Sequence, residues 1–383
     1  MMNFDNVSVL GENNSYVVDL SGSGNDGNCS GATCPFLDAS GGKYFGGYEF
    51  DGTGAKHIWV EHSTTLDFNS STNFSGSLWF RLTSDCQSPD YDNNVVFISK
   101  FGADYSDGGW WLGCNGETSN NPQELRFEIS DGENINITSG ETINDKKWHH
   151  AGFTYNSTSM EVKLFLDGVE VNSRVTSTNF NLSYVNPVCI GTFGNTCNGK
   201  DDNGQAFEMN GSLDEVRLFN RTLSGKEMGI FYMSNLRKYD TDKWEFYINQ
   251  TKNATAGLDE GEYTYQAFAK DEAGNINSTE ERTINVGKAP EIGFRGQTLP
   301  NASTIENNYY EANVSINESN LDEFVWNWNG TNYTAMNDSL LLSYNFDNVS
   351  SLGENNSYVV DMSGNGNNAS FTPLLSSDIG YIP

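Results

Sequence analysis

The chain has 383 residues and a mass of 42.3 kDa, enough for about two or three domains. It carries 21 Lys and Arg residues against 51 Asp and Glu residues, and the formal net charge of −30 repels phosphate backbones and anionic lipid headgroups. This balance excludes nucleic acid as a partner, and no apolar stretch approaches the roughly 18 residues that membrane insertion requires.

A repeat links the two ends of the sequence. Residues 3–27 return at 345–369 with 20 identities in 25 positions, which is a period of 342 residues. That period is too long for a solenoid unit and indicates a cassette of whole domains in series.

The six cysteines indicate an oxidising, extracellular environment. Six thiols allow fifteen pairings, and proximity in Gly-, Asn- and Ser-rich loops favours Cys29–Cys34 and Cys189–Cys197, with Cys86–Cys114 as the remaining couple. No pair has the CxxC spacing of a zinc site.

Strands dominate the rest of the pattern. The chain has 39 Gly, 23 Phe, 18 Tyr and 8 Trp, a mixture typical of short strands and tight turns. Asp-Gly or Asn-Gly between alternating apolar residues predicts hairpins at 127–137, 163–171 and 325–333. One short helix is predicted from the capping box at Ser224–Glu227 to about Leu236.

Five segments resemble the LamG-like, or concanavalin A-like, jelly-roll family. They are GYEFDG (47–52), SLWFRL (77–82), WHHAGFTY (148–155), VKLFLDG (162–168) and NGSLDEVRLFNRTLS (210–224). The resemblance implies an all-β jelly-roll sandwich over residues 1–237. It leaves the function open, because this fold carries lectins, adhesion modules and accessory domains of enzymes.

After residue 237 the composition changes, and AKDEAGNINST (269–279) resembles the Ig-like β-sandwich segments of large repetitive archaeal and bacterial surface proteins. We expect a closing half at 238–288 and a leading half at 289–343, followed at 344–383 by the start of a second LamG-like repeat. The two halves can form one ordinary Ig-like domain, close on each other as a permuted domain, or close between neighbouring chains. In the last case 345–369 donates a strand to a neighbouring LamG-like sheet.

The LamG-like resemblance also implies a structural calcium site. Asp19 and Asn25 lie in a Gly-rich loop and Asp214 lies near the end of the module, while Asp51 either contributes an oxygen ligand or forms a turn. The alternative is that these loop side chains are solvated or cap turns.

N-glycosylation is predicted from an excess of Asn-x-Ser/Thr acceptors. The sequence carries 22, where chance gives about eight. Examples are Asn6, Asn28, Asn73, Asn136, Asn156, Asn181, Asn220, Asn249, Asn277, Asn313, Asn332 and Asn348.

Catalysis is not supported. The sequence has no HExxH, GxSxG or phosphate-loop motif, and strict strand alternation places Asp214 and Glu215 on opposite faces. Trp110 and Trp111 also alternate, so that one of them can face solvent and stack on a sugar ring, but packing in the core or on the sheet face is the favoured interpretation of both. We therefore predict a non-enzymatic extracellular adhesion or scaffold protein that binds glycans or surface proteins. The alternative is a filament subunit that joins copies of itself head to tail by strand complementation.

Overall fold

The structure is a computed structural model that describes residues 1–53, 56–86, 94–101, 108–116, 123–199, 207–287, 289–296, 298–318 and 321–370. The chain divides into two compact units, a first unit at Met1–Asp259 and a second unit at Glu260–Pro383. Within the described residues, no helix combines the length and apolar character needed to cross a membrane.

Two antiparallel sheets build the first unit. In spatial order, the eight-stranded sheet contains β1 (Tyr16–Val17), β2 (Gly27–Asn28), β5 (Ile58–Val60), β14 (Val188–Ile190), β7 (Val95–Phe101), β8 (Gly109–Asn115), β9 (Glu124–Asp131) and β10 (Glu133–Thr142). The seven-stranded sheet contains β13 (Val169–Val175), β12 (Glu161–Leu166), β11 (His149–Asn156), β6 (Phe74–Leu82), β15 (Asn210–Phe219), β4 (Gly47–Asp51) and β3 (Phe36–Asp38). Single 3₁₀ turns occur at Ser8–Leu10, Gly31–Thr33 and Thr64–Leu66.

The main core lies between these two sheets. Phe80 stacks on Phe97 with ring centroids 4.5 Å apart, and Phe153 stacks on Phe127 at 4.2 Å. In each pair one ring comes from each sheet, and all four side chains are fully buried. The predicted all-β sandwich is therefore confirmed.

The local turn and cap predictions are also confirmed. β9 pairs with β10 and β12 with β13, and at Asp167-Gly168 both residues have positive φ, as a type I′ turn requires. The helix α1 (Gly225–Met233) begins at the Ser224–Glu227 capping box. It ends three residues before the predicted Leu236, because Ser234 already pairs with a neighbouring strand.

That strand belongs to a hairpin that completes the first unit. β16 (Ser234–Asp240) pairs with β17 (Lys243–Ile248). The predicted boundary between residues 237 and 238 falls inside β16. The disulfides of the structure are Cys29–Cys34, Cys86–Cys114 and Cys189–Cys197, which are the predicted pairs.

The second unit consists of strand pairs. The pairs are β18 (Gly261–Tyr265) with β21 (Arg282–Val286), β19 (Phe268–Lys270) with β20 (Ile276–Ser278), β22 (Glu291–Arg295) with β23 (Asn313–Asn317), β24 (Phe324–Trp328) with β25 (Thr331–Met336), and β26 (Tyr358–Val359) with β27 (Ala369–Ser370). A 3₁₀ turn at Ser350–Leu352 precedes the last pair. The β24–β25 pair confirms the hairpin predicted at Asn329-Gly330.

No described residue between Asn235 and Glu354 is buried. The Ig-like sandwich and its division at residues 288 and 343 stay predictions, because the strand pairs in this part of the chain share no buried core among their described residues. Of the predicted second repeat at 344–383, residues 371–383 lie outside the described residues.

Candidate functional site

A β-bulge shapes the outer face of the seven-stranded sheet. Asp214 pairs with Trp79 and Arg217 pairs with Ser77, so β15 contains one more residue than β6 over this stretch. Glu215 occupies the bulge with φ 56°.

The bulge breaks the alternation of side chains along β15. Leu213 and Val216 both join the core between the sheets, which leaves the two intervening residues, Asp214 and Glu215, on the outer face. The prediction that these two carboxyl groups lie on opposite faces is therefore wrong. Sequence spacing assumes a regular strand, and the extra residue shifts the alternation by one.

Helix α1, the loop before β4 and the β16–β17 hairpin cover this outer face. Tyr232 of the helix stacks on Trp79 with centroids 5.5 Å apart, and the Tyr44 backbone N–H donates to Asp214 Oδ2 at 2.9 Å. Asn235 of β16 hydrogen-bonds Glu215. Asp214 and Glu215 are both fully buried.

Burial controls the charge of this cluster. Desolvation raises the pKa of Glu215 to about 8 and holds the pKa of Asp214 well above its usual range, against the opposing effect of Arg217 on Glu215. Desolvation also lowers the pKa of His150 to about 3. At pH 7 the neutral form of Glu215 therefore predominates, and His150 is neutral. Several polar atoms of the cluster have no hydrogen-bond partner among the described residues: Asp214 Oδ1, Glu215 Oε1 and both ring nitrogens of His150.

A pocket of about 400 Å³ opens next to this cluster. Its walls come from the loop before β4 and from the β16–β17 hairpin, and its lining residues are Lys43, Tyr44, Phe45, Asn235, Arg237, Glu245 and Tyr247. We call this set the aromatic pocket.

The aromatic pocket combines exposed aromatic rings with polar side chains that hydrogen bonds and ion pairs hold in place. Phe45 is 52% exposed and Tyr247 56% exposed, so both present ring surface to solvent. The Arg237 guanidinium lies 3.6 Å from the Phe45 ring centroid and forms an ion pair with Glu245 at 2.6 Å. Asn235 is only 3% exposed, and its Oδ1 has no partner in the described structure. The pocket can therefore stack on an apolar ligand face and hydrogen-bond polar groups beside it.

Comparison with known proteins identifies the fold family. Residues 51–229 match the family model Laminin_G_3, described as the concanavalin A-like lectin/glucanases superfamily. Residues 51–229 are therefore a concanavalin A-like domain. The aromatic pocket is built from the two segments that flank this match. No curated protein matches the sequence.

Solved structures similar to this chain include two toxin domains. The binding domain of Paraclostridial Mosquitocidal Protein 1 is 14% identical with a TM-score of 0.44, covering 78% of this chain and 72% of that one. The binding domain of botulinum neurotoxin serotype G is 13% identical with a TM-score of 0.45, covering 87% and 80%. A third is the CBM40 of the Ruminococcus gnavus IT-sialidase bound to α2,3-sialyllactose, 13% identical with a TM-score of 0.32, covering 45% and 94%.

Of the four residues predicted to bind calcium, Asp19 and Asn25 lie in one hydrogen-bonded loop, whereas Asp51 and Asp214 lie apart from each other. Asp19 accepts hydrogen bonds from the Met1 amino group at 2.7 Å and from the Asn25 backbone N–H at 3.1 Å. Asp51 accepts a hydrogen bond from the Thr53 backbone N–H. It pairs across the sheet with Asn210, which precedes Asp214 by four positions, and four residues of a strand span about 13 Å.

These residues therefore do not form one coordination set. Nor does the described part of the chain contain any group of three or more His, Cys, Asp or Glu side chains placed to hold a metal ion. A calcium site stays a prediction from the resemblance alone.

The predicted sugar-stacking tryptophans are buried, whereas the predicted glycosylation asparagines are accessible. Trp110 and Trp111 are 0% and 3% exposed, so neither ring is available to a sugar. In contrast, none of the twelve named glycosylation asparagines is buried, and eight are exposed. Glycosylation itself stays a prediction.

Sequence reasoning missed the aromatic pocket. The signal that was available is GGKYFGG at 41–47, where a Gly-rich loop carries two aromatic residues that match no strand pattern. Its partner residues lie about 190 positions later along the chain, and only the folded sheet brings the two segments together.

Proposed function

We propose that this protein is a non-enzymatic extracellular binding protein of a cell surface, and that its first unit binds glycans, or surface proteins that carry them, through the aromatic pocket. The observation that carries the proposal is the combination of exposed rings with polar and charged side chains at one pocket. Phe45 and Tyr247 present exposed ring surface, and Lys43, Arg237 and Glu245 offer hydrogen-bonding groups beside the rings.

This combination suits a sugar better than a purely apolar ligand. A pyranose ring has an apolar face of C–H groups and an equatorial belt of hydroxyls, so it needs a ring to stack on and hydrogen-bonding groups beside that ring. Lys43 and Arg237 both line the pocket, and the ion pair with Glu245 offsets the charge of Arg237. The positive charge of Lys43 remains, and it favours glycans that carry carboxylate or sulfate groups over neutral ones.

The burial of the acidic pair supports a non-catalytic role. Asp214 and Glu215 are fully buried and do not line the aromatic pocket. A pair of carboxyl groups that cleaves a glycosidic bond must reach both sides of that bond. The extracellular location is supported by the three disulfides and by the excess of exposed glycan acceptors.

Replacing Tyr247 with Ala is expected to weaken glycan binding at least tenfold, because the variant loses one stacking surface of the pocket. The full chain is first screened on a glycan array, and affinities for the strongest ligands are then measured by isothermal titration calorimetry. The matched control is Tyr265→Ala, which removes a tyrosine of similar exposure, 52%, from the second unit. Equal affinities for the native chain and the Tyr247→Ala variant would place the glycan site elsewhere.

A further inference from the structure

The repeated sequence forms the same structure twice. We call residues 1–28 the first strap and residues 343–370 the second strap. Each has a 3₁₀ turn followed by a two-stranded pair, β1–β2 in the first and β26–β27 in the second. Phe4 and Phe346, at equivalent positions, both have a left-handed backbone, with φ 57° and 55°.

The buried hydrogen bonds of the two straps also correspond. Glu12 accepts from the backbone N–H groups of Val7 and Val18 at 2.7 and 3.2 Å. In the second strap Glu354 accepts from the equivalent residues at 2.7 and 3.1 Å. Asp361 likewise repeats the hydrogen bonds of Asp19, with the backbone N–H of Ser343 in place of the Met1 amino group. The strap therefore takes up its conformation without the jelly roll around it.

The first strap is docked on the jelly roll. Its β2 continues the eight-stranded sheet by pairing with β5, and Met2 pairs with Val216 of the seven-stranded sheet. Phe4 is 1% exposed, and its ring meets Tyr48 edge-on with centroids 5.0 Å apart.

The second strap presents the same groups without such a partner. In the described residues β27 pairs only with β26. The other edge of β27 carries no strand there, whereas the equivalent edge of β2 pairs with β5. Phe346, equivalent to Phe4, is 72% exposed. An apolar anchor and an open strand edge in one preformed segment are the features of a docking element.

We propose that the second strap docks on the jelly roll of a second copy of this chain, in the place that the first strap of that copy otherwise occupies. Phe346 then enters the Phe4 site against Tyr48, and β27 pairs with β5. The exchange joins copies head to tail, and it does not rest on the proposed glycan binding. The occupant is identified by the structure itself, because the same sequence is seen docked on this surface within one chain.

Two differences between the straps affect the fit. Tyr344 replaces Met2, and the cavity of about 320 Å³ that Met2 lines leaves room for the larger side chain. Ala369 replaces Gly27, and a Cβ at Gly27 would lie 2.8 Å from Ile58 Cγ2. Ile58 must therefore shift when the second strap docks, and this contact makes a chain's own first strap the preferred occupant. Exchange then becomes dependent on chain concentration.

Cross-linking between two variants of the full chain tests the proposal. A Val216→Cys chain is mixed with a Tyr344→Cys chain, because residue 344 takes the place of Met2, the strand partner of Val216. We expect a disulfide-linked dimer on a non-reducing gel, with the 216–344 link identified by mass spectrometry. A double variant, Met2→Cys with Val216→Cys, serves as positive control, since its link forms within one chain. If the control link forms and the 216–344 link does not, the proposal is overturned.

Further substitutions test the anchor. Adding Phe4→Ala to the receiving chain opens the site and is expected to raise the yield of dimer at least threefold, whereas Phe346→Ala in the donating chain is expected to abolish it. Ala369→Gly in the donating chain removes the contact with Ile58 and should also raise the yield, and this arm does not depend on whether the Phe4→Ala chain folds. A yield that responds to neither Phe346→Ala nor Ala369→Gly would show that the chains meet by another surface.

Discussion

Glu215→Gln is expected to reduce the loss of stability that the native chain shows as the pH rises from about 4.5 to about 8. Burial raises the pKa of Glu215 from 4.5 to about 8, so within this range the folded state binds a proton that the unfolded state has released. The free energy of unfolding therefore falls with rising pH, by up to about 1.4 kcal/mol per pH unit from this group. Glutamine has no proton to lose, and the variant lacks this contribution.

The measurement is urea unfolding of both chains at several pH values between 4 and 9. Glu141→Gln, at an exposed position, is the matched control, because it makes the same substitution without altering a buried group. The burial of Asp214 and Asp5 also raises the pKa of their carboxyl groups, so the Glu215→Gln curve keeps some slope. If its curve runs parallel to that of the native chain, the Glu215 carboxyl group is ionised in the folded protein at neutral pH and the buried cluster carries a charge.

Trp79→Ala is expected to lower the free energy of unfolding by about 3–5 kcal/mol, one of the largest losses that a single substitution can cause in this protein. Trp79 is 1% exposed on the outer face of the seven-stranded sheet. Its ring stacks on Tyr232 of helix α1, meets His150 edge-on at 5.3 Å, and lies 4.2 Å from the Lys43 ammonium. Truncation leaves a cavity that the sheet and the helix cannot both close.

The matched control is Trp244→Ala. Trp244 lies on β17 and is 43% exposed, so its loss is expected to change the free energy of unfolding by no more than about 1 kcal/mol. Chemical denaturation followed by tryptophan fluorescence measures both variants. Equal effects of the two substitutions would mean that helix α1 does not pack on the sheet as the structure shows.

Features that depend on neighbouring residues could be predicted from the sequence. The Asp-Gly and Asn-Gly turns require positive φ, which few residue pairs accept, and their position between alternating strands specifies the hairpins. The Ser224–Glu227 box likewise specifies where helix α1 begins, because both partners lie within one turn. Two disulfide pairs followed from loop separations of 5 and 8 residues, and Cys86–Cys114, which are 28 residues apart, was the couple that remained.

Features that depend on strand register could not be predicted. The bulge at Glu215 is visible only as a mismatch between β15 and β6, and it places two carboxyl groups on a face where alternation predicts one. The predicted end of helix α1 at Leu236 is wrong by three residues, because Ser234 pairs with β17 and does not continue the helix.

By itself, the sequence determined the all-β class, the jelly-roll resemblance, the turns, the disulfide pairs and the existence of two copies of the strap. Only the tertiary structure decided that the buried acidic pair shares one face, that the aromatic pocket assembles from segments about 190 residues apart, and that one strap is docked while Phe346 of the other is exposed. The physical reason is range. Turn and cap energies depend on a few consecutive residues, whereas burial, pKa values and pocket shape depend on which distant strands come to lie side by side.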